Sequence, residues 1–190
     1  MQTSSAEKMR AGNPTEVWTI GHSTRSAEEF NKILRAHKIE ALVDVRSFPG
    51  SRRYPQFNQE ALAEDLRRIG IKYKHLRLLG GRRKPVADSK NTAWKNASFR
   101  AYADYMESVS FKEGIEDLRE EAGKYRTVIM CAEAVWWRCH RSLIADYLKA
   151  QGTSVIHISD ATQTQSHPYT SAARIVDGTL SYEGLLFEAR

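Results

Sequence analysis

Apolar and polar residues alternate between two periods along this chain, and the switches mark its elements. Val17 to Ile20 reads as a short β run that stops at Gly21-His22-Ser23. Ser26 and Glu29 then form a capping-box pattern, and Phe30, Ile33, Leu34 and His37 recur at helical spacing. Ala41 to Val45 is a compact apolar run broken only by Asp44, as expected of a strand buried on both faces. Asn58 is placed to cap a second helix with the stripe Leu62, Leu66 and Ile69 and a stop at Gly70. Ile71 to Leu76 predicts a third strand.

The stretch from Arg77 to Ala97 has no clear period and is long for a loop. Helical spacing returns with Phe99, Tyr102, Tyr105, Met106 and Val109, and again with Ile115, Leu118 and Ala122. Thr127 to Ala132 predicts a fourth strand, Leu143, Ile144, Tyr147 and Leu148 a helix ended by Gly152, and Ser154 to Ile158 a fifth strand. Ile175 to Tyr182, around Asp177-Gly178, reads as a late hairpin. Alternating strands and helices imply one α/β domain over residues 14–190, a mostly parallel sheet with helices on both faces. The polar stretch from Met1 to Asn13 is expected to be a flexible leader.

Composition narrows the class. The chain has 190 residues, the length of one domain, and no apolar run of bilayer-spanning length, so no membrane association is expected. Its net charge is +6, and the excess is local: residues 44–100 hold 14 basic and 5 acidic side chains, the remainder 15 and 18. Such a concentration suits a surface that meets phosphate or another polyanion, although a solvated basic face is the plain alternative. Two cysteines are too few for a disulfide framework, and with no secretory signal at the N-terminus a reducing, cytoplasmic setting is expected.

In parallel sheets ligands bind beyond the carboxyl ends of the strands. The polar residues predicted there are His22 and Ser23, Asp44 and Arg46, Cys131 and Glu133, and His157. The densest cluster runs from Met130 to Arg141. Cys131 near Arg138, Arg141 and a helix start suits a nucleophilic thiol, although six residues rather than five separate Cys131 from Arg138, unlike the phosphatase loop. Cys139 reads more readily as packed at the helix start, with His140 and Arg141 as donors there, than as a metal ligand. Cys131, Cys139 and His140 with His22 or Glu133 form an alternative zinc set, but lack close Cys-to-Cys spacing. Asp44 and Glu133 are candidates to divide acid and base roles, or else to pair with arginines: Asp44 with Arg46 or Arg141, Glu133 with Arg138. Arg46, Arg52, Arg53, Arg82, Arg83 and Lys84 are interleaved with Phe48, Tyr54 and Phe57, and Trp136-Trp137 offers a stacking platform.

Taken in order, Thr19-Ile20-Gly21-His22-Ser23, Asp44-Val45-Arg46 with Pro49 and Ser51, Leu79-Gly80-Gly81, Cys131-Ala132-Glu133, Cys139-His140-Arg141 and His157-Ile158 resemble the bacterial and archaeal family called domain of unknown function 488. The resemblance implies a compact α/β domain and carries a weak association with DNA repair. The motif positions it marks are His22, Ser23, Asp44, Arg46, Cys131, Glu133, Cys139, His140 and Arg141.

The leading expectation is a hydrolase or transferase acting on a phosphate-bearing substrate, a nucleotide or nucleic acid. Asp44, Glu133, His22 and Cys131 are its catalytic candidates. Ser23, Arg46, Arg138, His140, Arg141, Arg52 and Arg53 are candidates for holding substrate, with no metal and no tightly bound cofactor expected. The rival is a non-enzymatic nucleic-acid-binding module; a third, thiol-redox reading requires Cys131 and Cys139 to meet.

Overall fold

A computed structural model describes residues 16–184. The expected leader lies outside them. Six strands form one sheet in the order β3-β2-β4-β1-β5-β6. They are β1 (Glu16–Gly21), β2 (Ala41–Asp44), β3 (Lys72–His75), β4 (Thr127–Cys131), β5 (Ser154–Ile158) and β6 (Thr164–Ser166). All neighbours are parallel except β6, which runs antiparallel to β5. The α/β reading therefore holds, while β6, three polar residues, had no apolar signal to announce it. The expected late hairpin is β7 (Arg174–Val176) and β8 (Thr179–Ser181), turning through Asp177 and Gly178, both at positive φ.

Among the described residues five helices cover the sheet: α1 (Ala27–Ala36), α2 (Gln59–Arg68), α3 (Ala97–Met106), α4 (Val109–Lys124) and α5 (Arg141–Ala150). Strand pleating sends alternate residues to opposite faces. Trp18 and Ile20 of β1 join Phe30, Leu34, Leu62 and Leu66 under α1 and α2. Val17 of β1 joins Ile115, Leu118, Leu143 and Leu148 under α4 and α5. The central strands β2 and β4 are buried at every position, which explains their lack of a two-residue period.

Ser26 caps α1 by accepting from the Glu29 amide (3.1 Å), as its spacing predicted. Asn58 stands at the start of α2, but its Oδ1 accepts from the Ser51 amide (2.6 Å) and so pins the loop after β2 instead. The long segment between β3 and α3 opens with a 3-10 turn, Arg77–Leu79. Tyr102 donates to the Leu79 carbonyl (2.9 Å) and Tyr105 to that of Leu78 (2.7 Å), tying the segment to α3.

Candidate functional site

The site follows from where the chain leaves β1, β2 and β4, three adjacent strands. Backbone bonds from the His22 and Ser23 amides to the Cys131 and Ala132 carbonyls (2.9 and 3.0 Å) keep the two exits together. Glycine is required here: a Cβ at Gly21 would fall 1.8 Å from the Glu133 carbonyl oxygen, so the loop after β4 folds directly over Gly21. Ser23 turns the chain away at φ 53°.

Asp44 and Arg46, two residues apart at the end of β2, project to the same side and pair. Arg46 Nη2 donates to Asp44 Oδ2 (2.6 Å) and Arg46 Nε to Oδ1 (2.9 Å). The Arg46 amide and the Tyr73 hydroxyl donate to the same carboxylate (3.0 and 2.8 Å). Burial, followed by the Asp44 charge, pushes the Tyr73 phenol well above its ordinary pKa, so the phenol keeps its proton. Asp44 is fully buried with these donors around it, an arrangement that anchors a guanidinium rather than exchanging protons with a substrate. The alternative partner considered for Asp44, Arg141, lies elsewhere.

His22 stacks on Phe57 with ring centroids 4.1 Å apart. Its Nδ1 donates to the Ser23 carbonyl (2.9 Å), leaving bare Nε2 to face Arg46 Nη1 at 3.4 Å. Burial above all, with the Arg46 charge adding to it, lowers its pKa to about 4. A neutral ring that accepts from Arg46 orients that arginine.

On the other side of the exit, Cys131 and Cys139 bring their sulfurs to 2.8 Å, and both thiols are free. His140 donates from Nε2 to the Val45 carbonyl (3.0 Å), which leaves Nδ1 as an acceptor 3.4 Å from Cys139 Sγ. Gly81 makes room for that ring, since a Cβ there would lie 2.5 Å from Nδ1. Burial pushes the Cys131 thiol up, and the contact with Cys139 raises it further. Cys139 is buried as well, yet the hydrogen bond that Cys131 donates to it, a His140 nitrogen placed to take its proton and the Arg141 charge bring it well below the usual thiol range. Of the two sulfurs, these surroundings favour the thiolate at Cys139 and oppose it at Cys131, the thiol expected from the sequence to be the nucleophile.

Arg141 opens α5 and is 1% exposed. It donates to the Glu133 and Ala134 carbonyls (2.6 and 3.3 Å) and to Thr19 Oγ1 (3.3 Å), and Nε finds no acceptor among the described residues. Its donors are turned into the fold, so it shapes the loop instead of reaching the cleft. Thr19 begins a buried chain. It donates to His157 Nδ1 (2.7 Å), His157 Nε2 donates to His167 Nδ1 (2.8 Å), and His167 Nε2 donates to Asp146 Oδ1 (2.9 Å). Thr170 and Tyr182 complete the shell of Asp146. Trp136 lies over His157, 4.3 Å between centroids and 6° from parallel, so it is a structural lid and not an open stacking platform.

Between these groups lies a cleft of about 710 Å³ lined by Arg46, Phe48, Arg82, Glu133, Arg138 and His140, with Cys131 and Cys139 in its wall. A smaller hollow of about 370 Å³ continues past His22, Ser23 and Tyr54. Glu133 is exposed and, among the described residues, neither it nor Arg138 forms the ion pair expected of them. Arg52 and Arg53 are exposed on the loop at the edge of the smaller hollow, with Arg53 over the Tyr54 ring (5.5 Å). Arg83 is drawn off by the Tyr105 ring (3.5 Å) and the Leu78 carbonyl (2.9 Å), and so does not extend the cationic rim.

Asp146 and His167 are not among the residues expected from the sequence, and His157 is expected only as a polar strand-end residue. The usable signal was Asp146 itself, an acid set within the apolar stripe Leu143, Ile144, Tyr147 and Leu148. Among the described residues, no group of three or more His, Cys, Asp or Glu is arranged to hold a metal. None of the described helices is long and apolar enough to cross a membrane.

One family model, described as Domain of unknown function DUF488, matches residues 26–148. No curated protein and no solved structure gives a significant match.

Proposed function

From the premise that the chain belongs to the DUF488 family, a description that carries no reaction, we propose that it is a hydrolase or transferase acting on a phosphate-bearing substrate, a nucleotide or nucleic-acid end. The observation that carries this reading is the strand-end cleft, whose lining brings together Arg46, Arg82, Arg138 and Glu133, a carboxylate with no ion-pair partner among the described residues. Arginine forks match phosphate oxygens, and a carboxylate with no fixed partner is available to take a proton from water or an acceptor hydroxyl. Asp44 and His22 then serve the reaction by fixing Arg46, and Ser23 with Arg52 and Arg53 borders the entrance. Two thiols kept free inside the fold favour a reducing cytoplasm as the setting.

The non-enzymatic nucleic-acid-binding reading keeps support from Phe48 and Trp137, which leave 66% and 58% of their surface to solvent. Exposed aromatics beside arginines suit single-strand stacking. Labelled single-stranded and duplex DNA and RNA, and free nucleotides, should be titrated across a salt series, with products followed by mass spectrometry. Product formation that disappears in Glu133→Gln supports the enzyme. Salt-sensitive binding without product supports the module, and absence of both removes nucleic acid and nucleotides as the ligand class.

A further inference from the structure

We infer that Cys139 and Cys131 form a reactive dithiol in which Cys139 attacks a hydroperoxide and Cys131 closes the disulfide. The inference is independent of the phosphate reading, because it rests on the cleft wall and not on the arginines of the rim.

Three features of the geometry point the same way. The sulfurs are already in contact at 2.8 Å, so only a short approach separates them from the bonded distance of about 2.05 Å. His140 is held in one tautomer by the Val45 carbonyl, which turns an acceptor nitrogen toward Cys139 and not toward Cys131. The buried guanidinium of Arg141 donates to the Thr19 hydroxyl and the Glu133 and Ala134 carbonyls and pairs with no carboxylate among the described residues; its charge bears on both sulfurs, where a thiolate would be its counter-ion. Both thiols stand in the wall of the 710 Å³ cleft and are nearly buried there, 3% and 7% exposed, so the oxidant they meet has to be small.

The Cys139 thiolate attacks the outer peroxide oxygen; the O–O bond breaks, an alkoxide leaves and takes up a proton, and Cys139 becomes a sulfenic acid. Cys131, deprotonated as it reacts, displaces hydroxide from that sulfur, which leaves as water with the released proton. Two electrons pass from the pair of thiols to the peroxide. The asymmetry assigns Cys139 as the attacking sulfur and Cys131 as the resolving one.

The reduced full chain should be treated with hydrogen peroxide, the probe, at neutral pH, and followed by intact mass, thiol counting after denaturation and peptide mapping. An ordinary cysteine is only a few per cent thiolate at neutral pH, and a lowered pKa offsets part of its gain in nucleophilicity, so Cys139 should react about ten-fold faster than the same thiols in the denatured chain. The expected product has lost both thiols and about 2 Da, the two hydrogens of disulfide formation, with Cys131 mapped to Cys139. In Cys131→Ser, dimedone should trap a sulfenic acid on Cys139; in Cys139→Ser, Cys131 should stay unmodified on the same timescale. Oxidation no faster than in the denatured chain, over-oxidation without a disulfide, or trapping on Cys131 instead would each overturn the assignment. The wild-type rate and map decide the matter even if a serine variant fails to fold.

Discussion

The indole of Trp136 lies flat on the imidazole of His157, and so closes one side of the buried chain that runs from Thr19 to Asp146. The stack joins the loop after β4 to β5, two segments with no other aromatic contact between them. Trp136→Ala removes that cover and the edge contact with His167. For a half-buried tryptophan the expected loss is about 2 kcal/mol, below the range for a fully buried one, read as a lower urea midpoint with an unchanged slope.

Asp44→Asn should destabilise the fold more than any single change in the rim. Arg46 would keep its place but lose the charge that compensates it, and breaking a buried ion pair from one side costs about 3–5 kcal/mol. Arg46→Lys should not be benign either, because an ammonium cannot reproduce the fork that reaches both Asp44 oxygens and the Phe57 carbonyl. Chemical denaturation of the two variants, side by side with wild type, checks both statements.

Glu133→Gln should behave in the opposite manner. The residue is exposed and its carboxylate takes part in no hydrogen bond or ion pair among the described residues, so stability should change by less than about 0.5 kcal/mol. If the proposed chemistry holds, turnover should fall by roughly 10²–10⁴-fold, the usual contribution of a general acid or base. A variant that retained full turnover would move the proton-transfer role away from Glu133.

Acid should weaken the fold below the ordinary histidine range. His22 and His157 have pKa values lowered by burial to about 4 and about 2, so the folded protein holds them neutral while the unfolded chain protonates them near pH 6.5. The unfolded state therefore binds more protons as pH falls, and stability is lost from about pH 6.5 downward, at about 1.4 kcal/mol per pH unit for each fully protonated ring. The His22 contribution levels off near pH 4, and that of His157 continues lower. Equilibrium unfolding at pH 7, 6 and 5 measures the slope, and His157→Gln should flatten it.

Gly21→Ala should fail to give the native loop, because the added carbon would overlap the Glu133 carbonyl and both sides of the clash are backbone. Gly70→Ala, at φ +77° with open space around it, should fold and lose only about 1 kcal/mol. Circular dichroism and thermal unfolding of the pair distinguish a steric requirement from a conformational one.

What could be read from the sequence follows from what is local. β1 to β5 and the helices each announce themselves within a few residues, by a period or by an unbroken apolar run, so their places were legible. The pairing of Asp44 with Arg46 was legible for the same reason, since residues two apart on a strand share a face. The fate of Glu133 and Arg138 was not, because both lie in a loop whose path is set by Gly21 beneath it. The orientation of His140 was equally hidden: it depends on the Val45 carbonyl, from a segment 95 positions earlier in the chain. Asp146, His157 and His167 come from α5, β5 and the segment after β6, and only tertiary folding joins them.

The strand β6, Thr-Gln-Ser with all three residues exposed, has a consequence for the protein in crowded solution. It forms one outer margin of the sheet, and β3, with Lys72 and Lys74, forms the other. A margin this short and hydrophilic, opposite one that carries ammonium groups, gives a second copy little to zip onto. The sheet is thereby protected from lateral growth, and its unsatisfied backbone groups are left to water.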